Sequence, residues 1–560
     1  MFIQDLKNDF YNILRGKRIL VIVNYDIDAI CASKILQTLF RYDHMVYSIV
    51  PIMGVAGLQR AYAENKDDVK YVLLINCGVC LDIVDLLRPD EDVIFFICDS
   101  HRPMDVCNIY SDSQIKIFGE VNSEEGVPAF EALFRDDDSE DEENDDDDNN
   151  SDKENGETSN RADRVERQIM KRRELRQWEE KRHQLMFEYT QYSYYGRSSA
   201  LILFELAWKL SRDSMELLWW AIVGLTEQLV MEKIESSSYV LESDKIQSHV
   251  SRLTNKASDQ SVQSAIKIHF EKDLHLALYR HWSVYESLRH SKYSACKLKL
   301  WTLRGEKRVH ELLVEMGLPL AQAKQQYSSM DMLLRNEFYQ MIEKLSEKYQ
   351  IGDIVYGSFT LQYGYRSKFS AADFVYATIA ILESIRKDRS PEHCFLEALD
   401  SLSRQNKQIL DAGIEQAKQF LCAVFKVVQT ALQANQVRSA GPFLYFVLGE
   451  ENPYFSCPHG LSILAKFLLE SYVSVSRSKK ASELPLIVCC PVDLDMGIYL
   501  MIGIPPVFED SPKNFFGKAF EQAATNTNAT VSLDFFETSI AQIKQSDLTK
   551  FLDGLTVLMS

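Results

Sequence analysis

The sequence contains no apolar run approaching the roughly 20 residues that a membrane-spanning helix needs, which excludes a helical membrane protein. It lacks a basic leader followed by an apolar stretch: Met1-Phe2-Ile3-Gln4-Asp5-Leu6-Lys7 is polar and amphipathic, unlike a secretory signal. The expectation is a soluble, intracellular chain, in which the triplets Asn149-Asn150-Ser151 and Asn528-Ala529-Thr530 carry no glycosylation meaning. No Gly-x-x-x-x-Gly-Lys-[Ser/Thr] loop is present, so nothing in the chain suits P-loop ATP hydrolysis. The 11 cysteines are scattered and odd in number, the pattern of buried reduced thiols and not of a disulfide framework. Cys77-Gly78-Val79-Cys80 is a lone CxxC with no second pair, whereas tetrahedral zinc wants four ligands.

What is present suffices for large cores. Hydrophobic residues make up 46% and aromatics 11% of the 560 residues. At about 150 residues per domain that length implies three or four domains. The net charge of −19 is unevenly placed: Asp136 to Glu157 holds 14 acidic residues and one lysine, a net of −13, so the other 538 residues carry −6. The acidic balance therefore describes one insert and does not argue against nucleic-acid binding elsewhere. Asp136 to Asn160 has nothing to offset the entropy of ordering and is expected to be a disordered acidic linker. Within it Ser139 and Ser151 are followed by acids, as acidophilic kinases prefer.

The first 120 residues alternate strand and helix. Ile19 to Val23 is a continuous β-branched run, as in a strand buried on both faces, and Ala29 to Phe40 follows with helical spacing. Tyr47 to Val50, ended by Pro51, Tyr71 to Ile75, and Val93 to Ile97 are further strands, with Ile115 to Phe118 as an edge strand. Such spacing implies βαβ crossovers and a parallel sheet. Arg161 to Glu188 reads as a long helix with one docked stripe of Ile169, Leu175, Trp178 and Leu185. Helices continue over Ser199 to Leu210 and Met215 to Ile234. Leu241 to Tyr349 shows helix formers and little strand pattern, with Pro319 opening another long helix. A second, smaller α/β domain follows. Its strands are expected near Phe359 to Tyr363, Phe443 to Leu448, Leu484 to Cys489 and Gly497 to Ile502, with helices over Ala371 to Ser384, Arg404 to Ala434 and Leu461 to Val473.

The main runs of the first sheet end in polar residues: Asn24-Tyr25-Asp26-Ile27-Asp28, Asn76-Cys77-Gly78, and Asp99-Ser100-His101. In an open parallel sheet the carboxyl ends of strands share one crevice, so these clusters converge. Asp26, Asp28, Asp99 and His101 have the chemistry of a manganese or magnesium site, in which two ions activate water for phosphodiester cleavage. The competing reading is that they are loop and helix-cap residues.

The D-x-D after the first strand, the N-C-G after the third and the D-x-H after the fourth resemble the first three motifs of the DHH phosphoesterase superfamily, which includes the RecJ exonuclease. Ala221 to Glu227 resembles the fourth, a Gly-Thr-containing turn ending in an acid. The chain is closer still to the cell division cycle 45 family of eukaryotic replication factors. That resemblance rests on Asp99-Ser100-His101-Arg102-Pro103 with Asn108-Ile109-Tyr110, Leu218 to Thr226, and Gly441-Pro442-Phe443-Leu444-Tyr445. It continues in Gly503-Ile504-Pro505-Pro506 and Lys513 to Phe520, and spans Met1 to Ser560. It implies an α/β fold with a parallel-sheet DHH-like domain (1–135 and 161–235) split by the acidic insert (136–160). A helical inter-domain region (236–350) and a smaller DHHA1-like α/β domain (351–560) follow.

The departures from active members concern chemistry. Asn24 and Asn76 stand where RecJ-like enzymes carry aspartates, Ser100 where the DHH signature has its first histidine, and Ala29 where a glycine follows. Each Asp-to-Asn change removes an anionic oxygen from a site meant for two dications. Asn24, Asp26, Asp28, Asn76, Asp99, Ser100 and His101 then form a vestigial site, with no catalytic residue, metal or cofactor. The resemblance implies a nuclear, non-catalytic subunit of the replicative helicase that joins the minichromosome maintenance ring to the GINS complex. Replication initiation factors, DNA polymerases and single-stranded DNA are further partners, no membrane is involved, and ATP hydrolysis is left to the ring. The alternative is a metal-dependent single-strand exonuclease of the DHH type.

Two other segments stand out. Arg280 to His310 carries Arg280, Arg289, Lys292, Lys297, Lys299, Arg304, Lys307 and Arg308 against Glu286 and Glu306, with Trp282, Tyr285, Tyr293 and Trp301 interleaved. This is the chemistry of a single-strand platform; the competing reading turns the aromatics to the core. Lys171, Arg172, Arg173 and Arg176, followed by Lys181-Arg182, read either as a nuclear localisation signal or as a solvated helix with i,i+4 ion pairs.

Overall fold

The computed structural model describes residues 2–111, 113–119, 126–135, 158–259, 266–364, 367–386, 389–476, 479–507 and 513–560. The backbone divides into two compact units, Met1–Gly119 with Ser193–Ser560, and Glu120–Tyr192.

The larger unit begins with a six-stranded parallel sheet of β1 (Phe2–Ile3), β2 (Arg18–Asn24), β3 (Val46–Ile52), β4 (Tyr71–Ile75), β5 (Ile94–Cys98) and β6 (Ile115–Phe118), in the order β1-β6-β5-β4-β2-β3. Ile19 to Val23 is fully buried, so both faces of the central strand are covered and the run is apolar without alternation. Helices Ile27–Tyr42, Ser199–Lys209 and Met215–Val230 pack together on this unit's core.

Two strand expectations change. β3 runs through Pro51 to Ile52, with Pro51 opposite Val23. A proline fits there because β3 is the edge strand, whose outer side needs no ladder donor. β6 is an inner strand: the two-residue β1 pairs outside it, too short to show a pattern in sequence. Ala221 to Glu227, whose matched family motif is a turn, lies inside the 16-residue helix Met215–Val230, in keeping with the helix expected over Met215 to Ile234. Its glycine serves a close approach between elements and not a bend.

Strand β7 (Ile266–Leu274) pairs antiparallel with β8 (Val355–Tyr363) over nine positions, and β9 (Ser367–Ser370) flanks β8. β7 corrects the all-helical reading of the middle region: its apolar residues alternate with charges, and its partner lies some ninety positions away. Pro319 precedes only the four-residue helix Leu320–Ala323; the long helix starts at Met332, capped by Asp331 accepting from Leu333 N.

The C-terminal sheet comprises β10 (Arg438–Ser439), β11 (Leu444–Val447), β12 (Leu486–Asp493), β13 (Ile498–Ile504), β14 (Val531–Ser532) and β15 (Ile540–Lys544), in the order β10-β11-β12-β13-β15-β14. Only β11 and β12 run parallel. Its loops reach the carboxyl edge of the first sheet. Asp534 accepts from Val55 N through its carbonyl and from Ala56 N through its carboxylate, both at 2.7 Å. Gly54 makes room for this, since a Cβ there would lie 2.3 Å from the Asp534 carbonyl oxygen, at a φ of +77°. Ser193 and Asn514 exchange backbone hydrogen bonds at 2.7 Å.

In the smaller unit, helix Thr158–Thr190 carries the stripe expected to be docked. Ile169, Leu175 and Leu185 are exposed and Trp178 is half-buried, with Arg182 5.7 Å from its ring centroid. The stripe therefore stands in solvent, because charged residues surround it on every turn. Lys171, Arg172, Arg173 and Arg176 are exposed on the same helix. The acidic stretch Asp136 to Glu157, with Ser139 and Ser151, lies outside the described residues. All eleven cysteines are free thiols; most are buried or half-buried, but Cys107 is exposed.

Candidate functional site

The carboxyl ends of β2, β4 and β5 bring Asn24, Asp26, Asp28, Asn76, Asp99, Ser100 and His101 to one edge, where all but Asn24 are buried. Asp26 is the N-cap of helix Ile27–Tyr42, and its Oδ1 accepts from Ala29 N at 2.7 Å. Asn24 Nδ2 donates to the other oxygen of Asp26 at 2.8 Å.

Asn76 is the centre of the cluster. It follows β4 with a φ of +50°, a left-handed conformation that asparagine tolerates better than most residues. Its Nδ2 donates to Asp26 Oδ1 and Asp28 Oδ2, each at 3.1 Å. Its Oδ1 accepts from Ser100 N at 3.2 Å and from Ser199 Oγ at 2.5 Å. Two donors on one side and two acceptances on the other fix the orientation of the amide.

Asp28 is wholly enclosed. Ser198 Oγ donates to its Oδ1 at 2.5 Å, Ala200 N to the same oxygen at 3.0 Å, and Ser199 N to Oδ2 at 2.8 Å. The carboxylate thus sits at the N-terminus of helix Ser199–Lys209, where open N–H groups and the helix dipole favour an anion. Gly224 presses against it from helix Met215–Val230: a Cβ there would lie 2.7 Å from Asp28 Oδ1 and 2.8 Å from the Ala200 Cβ. Burial pushes the Asp28 carboxyl above its usual range, and the Asp26 charge adds to this, against the pull of Ser198, Ala200 and Asn76.

Asp99 turns the other way. Its Oδ2 accepts from Val79 N at 3.1 Å, and its Oδ1 from His101 N at 2.9 Å and His101 Nδ1 at 2.7 Å. Burial alone would raise the Asp99 carboxyl, but His101 and the two backbone donors outweigh it and hold it below its ordinary value. Burial works equally against the His101 cation, and Asp99 overcomes it, so the imidazole is raised. Asn108 anchors the loop that supplies Val79 by donating to the carbonyls of Gly78, Val79 and Leu81.

Glu227, the acid of the fourth motif, faces Lys233 and not the aspartates, with Lys233 Nζ at 2.8 Å. Burial pushes the Glu227 carboxyl up against the pull of Lys233. Lys233 also lies 4.7 Å from the ring centroid of Tyr195, whose hydroxyl donates to Glu537 at 2.5 Å. Tyr195, paired with His101 in a short antiparallel ladder, links the cluster to the C-terminal domain.

This donor set does not fit a pair of dications. The Asn76 amide presents N–H groups to both aspartates, where a bridging cation would need oxygens turned inward. Among the described residues, no three of Asp26, Asp28, Asp99 and His101 bring ligand atoms within 4.8 Å of one another. Asp82, Asp105 and Cys107 do, but both aspartates there cap short helices.

Ser198, Ser199, Lys233 and Glu537 are not singled out by the sequence. A serine before an apolar helical run marks Ser198 as a cap; nothing local ties it to Asp28, 170 positions away.

The basic segment is largely built into the fold. Arg280 forms a fork with both oxygens of Asp273 at 2.9 Å, Lys292 pairs with Glu470 at 3.0 Å and also with Glu232, and Arg308 donates to the Tyr349 carbonyl at 3.2 Å. Trp301 is buried, and Trp282 stacks on His290 with centroids 5.0 Å apart. Lys297, Lys299, Arg304 and Lys307 are exposed, with the aromatics turned inward as the competing reading expected.

The CDC45 family model matches residues 19–558. Over 571 residues the chain is 42% identical to the cell division control protein 45 homolog of Homo sapiens, with 100% of each covered. It is 26% identical over 624 residues to cell division control protein 45 of Saccharomyces cerevisiae, covering 95% of this chain and 94% of that one. The crystal structure of CDC45 from Entamoeba histolytica superposes with a TM-score of 0.73 at 24% identity and covers 100% of both chains, a likeness of fold.

Proposed function

The chain belongs to the CDC45 family, and on that premise we propose that it acts in DNA replication as a non-catalytic subunit of the eukaryotic replicative helicase, joining the minichromosome maintenance ring to GINS. One observation carries the non-catalytic reading: the Asn76 amide donates to Asp26 and Asp28 at once. A neutral donor does there what a cation does in a two-metal phosphoesterase, satisfying two buried carboxylates without activating water. Asn24, Asp99, Ser100 and His101 extend the same knot, which ties three strand ends to helix Ser199–Lys209.

On this reading the former active-site domain is a rigid body for assembly, in the partition drawn from the sequence, and ATP hydrolysis belongs to the ring. Initiation factors and DNA polymerases are its further partners in the nucleus. The exposed Lys171, Arg172, Arg173 and Arg176 suit an import receptor. Single-stranded DNA is left with phosphate contacts from Lys297, Lys299, Arg304 and Lys307, a salt-sensitive mode without stacking. No helix among the described residues is long and apolar enough to cross a membrane.

Two experiments test the proposal. A labelled single-stranded oligonucleotide incubated with the chain and manganese or magnesium stays intact. Degradation that disappears in Asp99→Ala would instead establish the exonuclease alternative. Size-exclusion chromatography of the chain with purified ring and GINS gives a species holding all three, and two separate binary complexes would overturn the bridging role.

A further inference from the structure

Helix Thr158–Thr190 of the smaller unit holds a seam at heptad spacing. Lys171, Leu175, Trp178, Arg182 and Leu185 follow one another at alternating steps of four and three residues. At about 3.6 residues per turn this rhythm keeps them on one face. Leu175 is 41% exposed and Leu185 37%, while Trp178 is half-buried with the Arg182 guanidinium 5.7 Å from its ring centroid. The face thus presents three apolar side chains and two cations, without a carboxylate. A helix ordinarily turns its apolar line toward other protein.

The charges around the seam decide what covers it. Among the described residues, Lys171, Lys181 and Arg182 form no ion pair, although Glu174, Glu179 and Glu180 lie on the same helix. Those carboxylates, with Glu188, argue against a polyanion: they repel phosphates, and a nucleic-acid backbone leaves the leucines in water. A second copy of the chain fits no better. In a parallel pair Lys171 and Arg182 each meet their own counterpart. In an antiparallel pair that sets Leu175 against the counterpart of Leu185, Glu179 meets Glu179 and Lys181 meets Lys181.

We propose that this seam docks an amphipathic helix of another protein, apolar at heptad positions and carrying carboxylates opposite Lys171 and Arg182. The apolar side chains of that helix cover Leu175, Trp178 and Leu185. Tryptophan and arginine are the residues on which interface energy most often concentrates, and here they already stand side by side. The two charge-assisted contacts fix the register, as polar residues do within apolar coiled-coil seams. Like charges at Lys171 and Arg182 select an acidic partner and reject a basic one. The docking does not depend on the helicase role. Arg172, Arg173 and Arg176 lie off this face and stay available to an import receptor.

The test is fluorescence anisotropy of a labelled three-heptad synthetic helix titrated with the full chain. The peptide has leucine at its seam positions and glutamate at the two that face Lys171 and Arg182; a twin carries lysine there. Saturable binding of the glutamate peptide is expected, and none of the twin. Trp178→Ala weakens it by about ten-fold or more, with the melting temperature unchanged. Arg182→Glu weakens it as much and turns the preference toward the lysine twin, a reversal that misfolding does not give. In nuclear extract, p-benzoylphenylalanine placed at Leu185 cross-links to a segment that mass spectrometry identifies as an acidic heptad helix, and the glutamate peptide competes. No saturable binding up to about 1 mM, equal binding of the two peptides, or indifference to both substitutions overturns the proposal. So does displacement of the peptide by a single-stranded oligonucleotide, self-association of the chain that Trp178→Ala abolishes, or a cross-link that is absent or lies in a segment of another kind.

Discussion

Substituting Asn76→Asp inverts the electrostatics of the knot while changing one atom. The wild-type amide gives a hydrogen bond to Asp26 and one to Asp28, both at 3.1 Å. Leaving a buried polar group without its hydrogen bond costs about 1–3 kcal/mol, so losing both costs about 2–6 kcal/mol. The new carboxyl also joins two buried carboxylates, which raises its pKa. Protonation returns one donor, so the penalty shrinks on acidification: a raised acid destabilises as pH rises through its folded value. At roughly 2–4 °C per kcal/mol for a domain of ordinary size, melting should fall by on the order of 10 °C. Manganese changes the outcome. In the variant three carboxylates face one another without a donor between them, and a bound ion at 100 times its dissociation constant restores about 2.7 kcal/mol. Adding Asn24→Asp should enlarge the manganese response, since Asn24 donates to Asp26 in the same way. The assay is thermal denaturation of wild type and variants across pH, with and without manganese. A variant that melts with the wild type at neutral pH, or a wild type stabilised by manganese as strongly as the variant, would refute the reasoning.

Gly224→Ala should destabilise by about 1–3 kcal/mol through overpacking, despite a helix-propensity gain of about 1 kcal/mol, because the added Cβ lands 2.7 Å from Asp28 Oδ1. Urea denaturation checks this, and a variant as stable as wild type would show that helix Met215–Val230 yields freely. Asp99→Asn should matter most in weak acid. Asp99 is held below its usual value, so its contribution is lost as pH falls through the folded value; His101 is raised, so its contribution is lost as pH climbs through that raised value. The stability gap between wild type and Asp99→Asn should be widest between about pH 4 and 6.5, the two ordinary values, and narrow in alkali; a gap that widens in alkali contradicts the ion pair.

The central strands were legible because they are buried on both faces: Ile19 to Val23 and Tyr71 to Ile75 need no partner in view to be read as strands. β7 was not, since its half-buried alternation gains meaning only beside Val355–Tyr363. The sequence placed Asn24, Asn76 and Ser100 at the site and marked two of them as missing anions. It did not display Asn76 as a donor to two aspartates, which depends on a left-handed backbone after β4 and on Ser199 fixing the amide from the far side. Motif four was visible as a pattern within an expected helix, but the role of Gly224 was not, because a glycine in sequence looks the same whether it bends a chain or admits a carboxylate.

The contacts of Asp534 with Val55 and Ala56, and of Glu537 with Tyr195, bear on how the protein is made. Their acceptors lie near position 535 while their donors lie 340 or more positions earlier, Ala56 standing 478 positions before Asp534. At about 5–20 residues per second, a ribosome needs on the order of 25–100 s to cover that distance. Throughout that interval the rim of the first sheet has emerged while its C-terminal cover has not, and the N–H groups of Val55 and Ala56 meet only water. The nascent chain therefore passes through a long-lived state with an open sheet end, the kind of surface that chaperones hold, and its crevice closes only once the C-terminal sheet has left the ribosome.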